Sequence, residues 1–499
     1  MKKVWSLVLA VCLLLGCFGC QNQQDALYSA AKEDGPSSSL AESSSPESGQ
    51  VSENGEGTAG EKRTLTLRTI IGDMDHPVGA APMAKQYMEL HPDVEIVIPE
   101  SHSGEEMVNN GDFYNQYVEN LVVDLMSGEA ADLVVDVGVL TPRKYVEAGV
   151  LYDIGQWMKD DPDFHEEDYY WNVFQSYQYD GQLVGVPLSF VAKSIWFNKN
   201  LVGELEYEPW ELLDYKQVME LYDRAAENHT LPENFTMTYG DMRSKYSMFA
   251  EVELPAYLDP VANTARFDSP EFIHYLKESK RIPTQLPAGQ TNSMTGRGVV
   301  EMFSESIREE GDTSLLLYST VGMGEVGELM EEYDNVAGPY FLKSTQGNIP
   351  FLPLDILLVP KTCSDPELAW DFIKFCIAPV ETPAMAYVWE PEGGIDMTPL
   401  TNVPMAKQNL EQWGQLYEKM YLTESERNVD FDAMEDPLPA EVFQRFDQVL
   451  SQCSGQQDLP FGLNVNVLDL LWQYYDTDTL SAEDCARQIQ ERAEIWLQE

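Results

Sequence analysis

The sequence predicts an α/β protein. Strand-like and helix-like segments alternate along it, its central strands are nearly continuous apolar runs, and 499 residues suffice for two lobes. A hydrophobic fraction of 43% is enough to fill the interior that such a fold requires.

In chain order, residues 65–71 read as a strand, closed by the turn residues Gly72, Asp73 and Asp75. A helix fits 81–90 and stops at His91-Pro92, because the residue before a proline avoids the helical region. Residues 94–98 form the next strand. A helix over 113–126 repeats Tyr117, Leu121 and Leu125 every four residues. The run 132–137 reads as a strand buried on both faces, as do 315–318 and 355–359. Ser364-Asp365-Pro366-Glu367 opens a helix, with Ser364 as cap, Glu367 placed for a capping box, and Leu368, Phe372, Phe375 and Cys376 as its apolar face. Ser481 caps a last helix whose buried stripe is Cys485, Ile489, Ala493 and Trp496. There is no tandem repeat of the length that builds solenoids or propellers.

The N-terminus reads as a leader. Lys2 and Lys3 precede an apolar run over 4–15, shorter than the roughly 20 residues that a membrane-spanning helix needs. It ends in Leu13-Leu14-Leu15-Gly16-Cys17, which resembles the lipobox of bacterial lipoproteins and implies cleavage before Cys17 and a diacylglycerol on its sulfur. Cys20 offers a second frame. Residues 21–61 are rich in Ser, Glu, Gly and Ala and cannot bury enough apolar area to offset their ordering entropy, so they read as a flexible tether.

Lys and Arg number 31 against 84 Asp and Glu, which argues against nucleic acid and against docking on anionic headgroups. Cys363, Cys376, Cys453 and Cys485 lie in the body with no C-x-x-C pair and no zinc-ligand spacing. Buried free thiols are expected, and a disulfide such as Cys363 with Cys376 remains an alternative.

Several segments, taken together and in order, resemble the family 1 extracellular solute-binding proteins of ATP-binding-cassette importers. They are Ser127-Gly128-Glu129-Ala130-Ala131-Asp132-Leu133-Val134 and Ala148-Gly149-Val150-Leu151-Tyr152-Asp153-Ile154, then Asp180-Gly181-Gln182-Leu183-Val184-Gly185-Val186-Pro187 with Trp196-Phe197-Asn198-Lys199, Phe267-Asp268-Ser269-Pro270-Glu271-Phe272, and Asp365-Pro366-Glu367-Leu368-Ala369-Trp370. The family usually carries proline where Ala131 stands. Residues 207–257 and 406–461 carry little of the pattern.

The resemblance implies a periplasmic-binding-protein-like fold, two lobes joined by a hinge with a ligand cleft between them. The division it implies is a signal peptide over 1–16 and a lipidated cysteine and tether over 17–61. A first lobe takes 62–189 plus 315–357, and a second takes 190–314 plus 358–499. Crossings are expected near 188–192, 315–319 and 355–360. It implies a small-solute ligand, a membrane permease as partner, anchorage outside the cytoplasm through lipid, and neither enzyme activity nor a cofactor.

Candidate ligand residues sit at strand ends, where open α/β sheets bind. They are Asp73 and Asp75 after the first strand, Asp136 at the end of the third, Phe190 at the first crossing, Ser319, Asp355, and Trp389 with Glu390 before Gly393-Gly394. Aromatic rings suit a sugar's apolar face and carboxylates accept its hydroxyl hydrogen bonds, so a carbohydrate is the expected solute. Each candidate also has a plainer reading, Trp389 as core packing and Asp73 or Asp136 as a turn or cap. Gly322-Met323-Gly324-Glu325-Val326-Gly327 matches G-x-G-x-x-G, but Glu325 would face the phosphates, so it reads as a Gly-rich turn before a helix. Asp476 and Asp478 lack the glycine and glutamate of a calcium loop, and no metal site is expected. A secreted polysaccharide hydrolase, or an adhesin or sensor with the same fold, are the alternative readings.

Overall fold

The computed structural model describes residues 62–499 except 71, 73, 75–78, 100–112, 137–141, 229–234, 240–249, 251, 261, 283–298, 324, 379–388, 391–393, 396–401, 416–436, 457–458, 460, 476 and 499. The leader, Cys17, Cys20 and the tether therefore lie outside the described residues, as do Asp73 and Asp75.

The sheet is mixed. Strands β1 (Arg63–Arg68), β2 (Val94–Val97) and β3 (Leu133–Asp136) run parallel, with β1 in the middle. β2 lies at the edge and alternates, Val94 and Ile96 inward and Glu95 and Val97 outward, whereas every residue of β3 is buried. This is the contrast expected between a half-covered edge strand and a strand covered on both faces. Strand β4 (Gly185–Asn198) is the longest, and β5 (Thr236–Thr238), β6 (Ser314–Val321), β7 (Val336–Leu342), β8 (Ile349–Leu358) and β9 (Cys453–Gln456) assemble around it. The order is β2-β1-β3-β8-β4-β6-β5, with β7 also on β4 and β9 on β8.

β4 changes partner at its midpoint. Its first half pairs antiparallel with β8, up to Val191 opposite Leu352, and its second half with β6, from Ala192 opposite Val321. The change of partner falls between Val191 and Ala192, inside the 188–192 stretch that the sequence reading gives to the first crossing. β8 joins the first half of β4 already at Leu352, earlier in the chain than the 355–360 read from the sequence.

Two hydrophobic cores flank this sheet. Helices α1 (Ala80–Leu90), α2 (Phe113–Ser127) and α3 (Pro142–Ala148) contribute to the first, through Tyr87, Leu121 and Tyr145 among others. α4 (Tyr215–Asn228) and α5 (Pro270–Lys280) fill the second with Val218, Phe272 and Tyr275. α6 (Pro366–Ile377) and α7 (Ala440–Leu450) return to the first, and α8 (Phe461–Tyr475) and α9 (Ala482–Gln498) to the second.

α6 and α7 lie in the stretch that the sequence division gives to the second lobe. α6 packs its apolar face on α1, with Tyr87 edge-on to Phe372 at 5.4 Å and to Phe375 at 5.2 Å between ring centroids. Pairs of this kind add about 0.5–1.5 kcal/mol beyond area burial. Arg63 on β1 reinforces the seam with a bidentate bond to Asp365, Nε to Oδ2 at 2.8 Å and Nη2 to Oδ1 at 2.7 Å.

The caps refine the sequence reading. Asp365, not Ser364, caps α6, accepting from the Leu368 N–H at 3.1 Å with Pro366 at the first helical position. The Ser364 N–H is instead held by Asp132 at 2.6 Å. Ser481 caps α9 as expected, accepting from the Asp484 N–H at 3.0 Å and donating to the Asp484 carboxylate at 2.9 Å. Trp496, expected in the buried stripe of α9, is only partly covered, and Leu497 takes the buried position.

Candidate functional site

β1 and β3 are parallel, so their C-terminal ends open on the same edge of the sheet. β8 runs antiparallel to β3 and brings Asp355 to that edge, one residue before Ile356, which pairs with Asp136. Two acidic side chains far apart in sequence are thereby placed on adjacent strands.

Asp136 is fully buried, and its Oδ2 accepts from the Tyr177 hydroxyl at 3.4 Å. Tyr117 stands nearby with its hydroxyl donated to the Val135 carbonyl at 2.7 Å and its ring 5.4 Å from the Arg68 guanidinium carbon. Burial, first, and the Asp136 charge after it hold the Tyr145 hydroxyl well above its usual range.

Asp355 is partly exposed and adopts a left-handed backbone, φ 49°, an uncommon conformation for a residue with a side chain. Its carboxylate lies at the start of α1, its oxygens 3.9 and 4.0 Å from where a Cβ on Gly79 would stand. Gly79 precedes the helix at φ 109°, a conformation that suits glycine. The helix start offers amide groups and partial positive charge to an anion. Burial acts the other way and pushes the Asp355 carboxyl up to about 6. The opposed effects leave a carboxyl that changes charge within a mildly acidic range.

Phe190 and Ser319 are enclosed by the fold. Phe190 is fully buried, edge-on to Tyr170 at 5.3 Å and to Phe351 at 6.1 Å, because β4 is covered on both faces where it crosses. Ser319 is 3% exposed and donates to the Thr320 carbonyl at 3.2 Å. Trp389 and Glu390 form a short strand against Gly394–Ile395, and their side chains lie outside the described residues. Trp196 is core, with its indole N–H donated to Ser194 Oγ at 3.2 Å.

One group at the crossing escaped the sequence reading. Lys193 Nζ donates to Thr320 Oγ1 at 2.9 Å and lies 5.3 Å from the Tyr318 ring centroid. All three side chains are partly exposed. The signal was a charge placed alone in an apolar strand.

The glycine-rich turn carries its own anion. The Gly322 N–H donates to Glu325 Oε2 at 2.9 Å, and a short helical turn follows over Val326–Met330. A carboxylate thus occupies the amide that a phosphate would need. Among the described residues no group of three or more His, Cys, Asp or Glu could hold a metal ion, and no helix is long and apolar enough to cross a membrane. Cys363, Cys376, Cys453 and Cys485 are buried and free.

No curated protein matches the sequence. Solved structures share the fold at low identity. An ABC substrate-binding protein from Listeria monocytogenes in complex with cycloalternan is 15% identical, with 88% of this chain and 99% of that one covered and a TM-score of 0.52. The sugar-binding protein MalE from Xanthomonas citri is 12% identical over 87% and 97%, with a TM-score of 0.50. A cyclic alpha-maltosyl-1,6-maltose binding protein from Arthrobacter globiformis is 15% identical over 87% and 99%, also at 0.50. These likenesses establish a periplasmic-binding-protein-like fold. The profile of the family described as bacterial extracellular solute-binding protein matches residues 76–382, which cover most of the sheet and both candidate carboxylates; the chain belongs to that family, whose members bind solutes outside the cytoplasm.

Proposed function

We propose that this protein captures a carbohydrate, most simply an oligosaccharide, and delivers it to the permease of an ATP-binding-cassette importer. The observation that carries the reading is the strand Gly185–Asn198, which is shared by two cores and changes partner between Val191 and Ala192. Bodies joined in this way can rotate toward each other, and a ligand that touches both stabilises the closed arrangement. Asp355 supplies a hydroxyl acceptor at the sheet edge, with the fully buried Asp136 standing behind it, and Asp73, Asp75, Trp389 and Glu390 are proposed to complete the site. The sugar ligands named for the structural relatives support this solute class. The lipobox-like Cys17, with Cys20 as the second frame, is proposed to anchor the chain, and the 21–61 tether to give the body reach.

A thermal-shift screen of a soluble chain starting at Lys62 tests the reading, against linear and cyclic oligosaccharides, peptides, polyamines and metal ions. A ligand at about 100 times its dissociation constant adds roughly 2.7 kcal/mol of stability. A dose-dependent shift from one sugar class, without product and weakened by Trp389→Ala, is the expected result. A shift from peptides or polyamines alone overturns the carbohydrate assignment, and turnover of a polysaccharide lost with one carboxylate would favour a hydrolase.

A further inference from the structure

Arg143 lies near the start of α3, on the chain that leaves the C-terminal end of β3 and therefore the edge that carries Asp136. Tyr145, two residues on, is part of the first core. The guanidinium of Arg143 reaches the second body. Its Nη1 donates to the Leu497 carbonyl in the last turn of α9 at 3.0 Å and also to Asn263 Oδ1. Leu497 ends a helix whose Cys485, Ile489 and Ala493 belong to the second core, and Asn263 precedes the strand Thr264–Ala265, whose Ala265 packs on that core.

The side chain is held from its own body as well. Nε donates to Glu147 Oε1 at 3.0 Å, one helical turn on, and Glu147 accepts from the Tyr179 hydroxyl at 3.4 Å. A guanidinium fork fixed at one nitrogen presents its remaining donors in a set direction. Its target suits a cation, because the last carbonyls of a helix lack intrahelical partners and carry partial negative charge. Asn263 is also set by its backbone, with φ 56° in the left-handed region that asparagine tolerates.

We infer that Arg143 is a positioning residue that fastens the two bodies together at the cleft edge, so that its bonds to Leu497 and Asn263 set the balance between closed and open forms. The inference rests on the reading of two bodies that close over a solute. Rotation of α9 away from α3 breaks both bonds at once and leaves the guanidinium to water. Arg143 needs no contact with ligand to act. By lowering the population of open forms it raises apparent affinity for whatever closes the cleft.

The test measures the interbody distance without ligand. In the full chain with Cys12, Cys17 and Cys20 replaced by serine, cysteines introduced at the exposed positions Lys159 and Glu227 take spin labels, while the four buried thiols do not. Arg143→Ala is expected to lower the ratio of short to long distances about tenfold, in line with the loss of charged hydrogen bonds, and Arg143→Lys to lower it less. Asn263→Gly removes one acceptor while keeping the backbone conformation, and is expected to shift the ratio in the same direction. Distance distributions that superimpose on the parent protein for both Arg143→Ala and Asn263→Gly overturn the inference. Failure of every oligosaccharide in the screen leaves this readout intact, so the latch and the solute class fall separately.

Discussion

Glu253 and Thr345 are joined by two hydrogen bonds of 2.9 Å, from the Thr345 N–H to Glu253 Oε1 and from the Thr345 hydroxyl to Oε2. Glu253 is fully buried beside the second core, and Thr345 lies in the turn between β7 and β8. The pair therefore pins the segment that leads into the crossing strand. Burial pushes the Glu253 carboxyl up to about 7 against the two bonds from Thr345, which lower it.

The folded state thus holds a proton that the unfolded chain releases near 4.5. Between about 4.5 and 7 the folded form binds more protons, so stability falls as pH rises through this window. Glu253→Gln is expected to flatten that fall, measured as urea midpoints at pH 5 and pH 8. An unchanged difference between the two midpoints would show that Glu253 does not carry the proton.

Asp355 follows the same sign at a lower pH. Its carboxyl moves from 3.8 to about 6 on folding, so stability declines as pH rises from about 4 to 6. Asp355→Asn is expected to raise the melting temperature at pH 7.5 and to weaken solute binding. Such opposite effects are what a site residue in an unfavourable environment shows. A variant that is stabilised with affinity unchanged would leave Asp355 a structural residue only.

Gly185 has no room for a side chain. A Cβ there would lie 2.6 Å from Tyr177 Cδ1, 2.8 Å from Ile356 Cγ2 and 3.0 Å from Leu358 Cδ2. Gly185→Ala is expected to cost about 1–3 kcal/mol by overpacking, read from chemical denaturation. A loss below 0.5 kcal/mol, on the order of a typical surface change, would mean that the neighbours move aside.

Asp365 combines a helix cap with an ion pair. Asp365→Ala is expected to cost about 1–2 kcal/mol, most of it from the cap, since exposed pairs contribute roughly 0–1 kcal/mol. Asp365→Asn keeps a capping oxygen and should cost less than half as much. Equal losses from both variants would assign the effect to the ion pair with Arg63.

The four body thiols are expected to resist a thiol reagent in the native state and to react together on unfolding. Burial pushes Cys363 up to about 11 and Cys453 and Cys485 up to about 12, so little thiolate is available near neutral pH. Fast labelling of any one in a soluble chain from Lys62 would contradict its burial.

Much of the fold was legible because its signals are local. The four-residue spacing of Tyr117, Leu121 and Leu125 marks α2, and all three are buried. The rejection of a phosphate site at Gly322 followed from one residue type, Glu325, which does bond that amide. The burial of Phe190 was not legible, because an apolar strand gives no sign of which faces are covered, and both are. The placement of α6 was equally invisible, since its apolar face fits either core and distant partners such as Tyr87, Arg63 and Asp161 decide it. The long-range bonds of Arg143 could not be read at all, because Asn263 and Leu497 lie 120 and 354 residues away.

The strand Gly185–Asn198 also has a mechanical side. Its 14 residues span about 45 Å at roughly 3.3 Å each, with the change of partner at the centre. Each half is then about 20 Å long and laddered to its own set of strands, with the change of partner at the single peptide unit between Val191 and Ala192. A bend of about 10° at that point displaces the tips by about 3.5 Å, comparable to the length of one hydrogen bond. Small torsions in a continuous ribbon can therefore make and break contacts at its far ends without tearing any ladder.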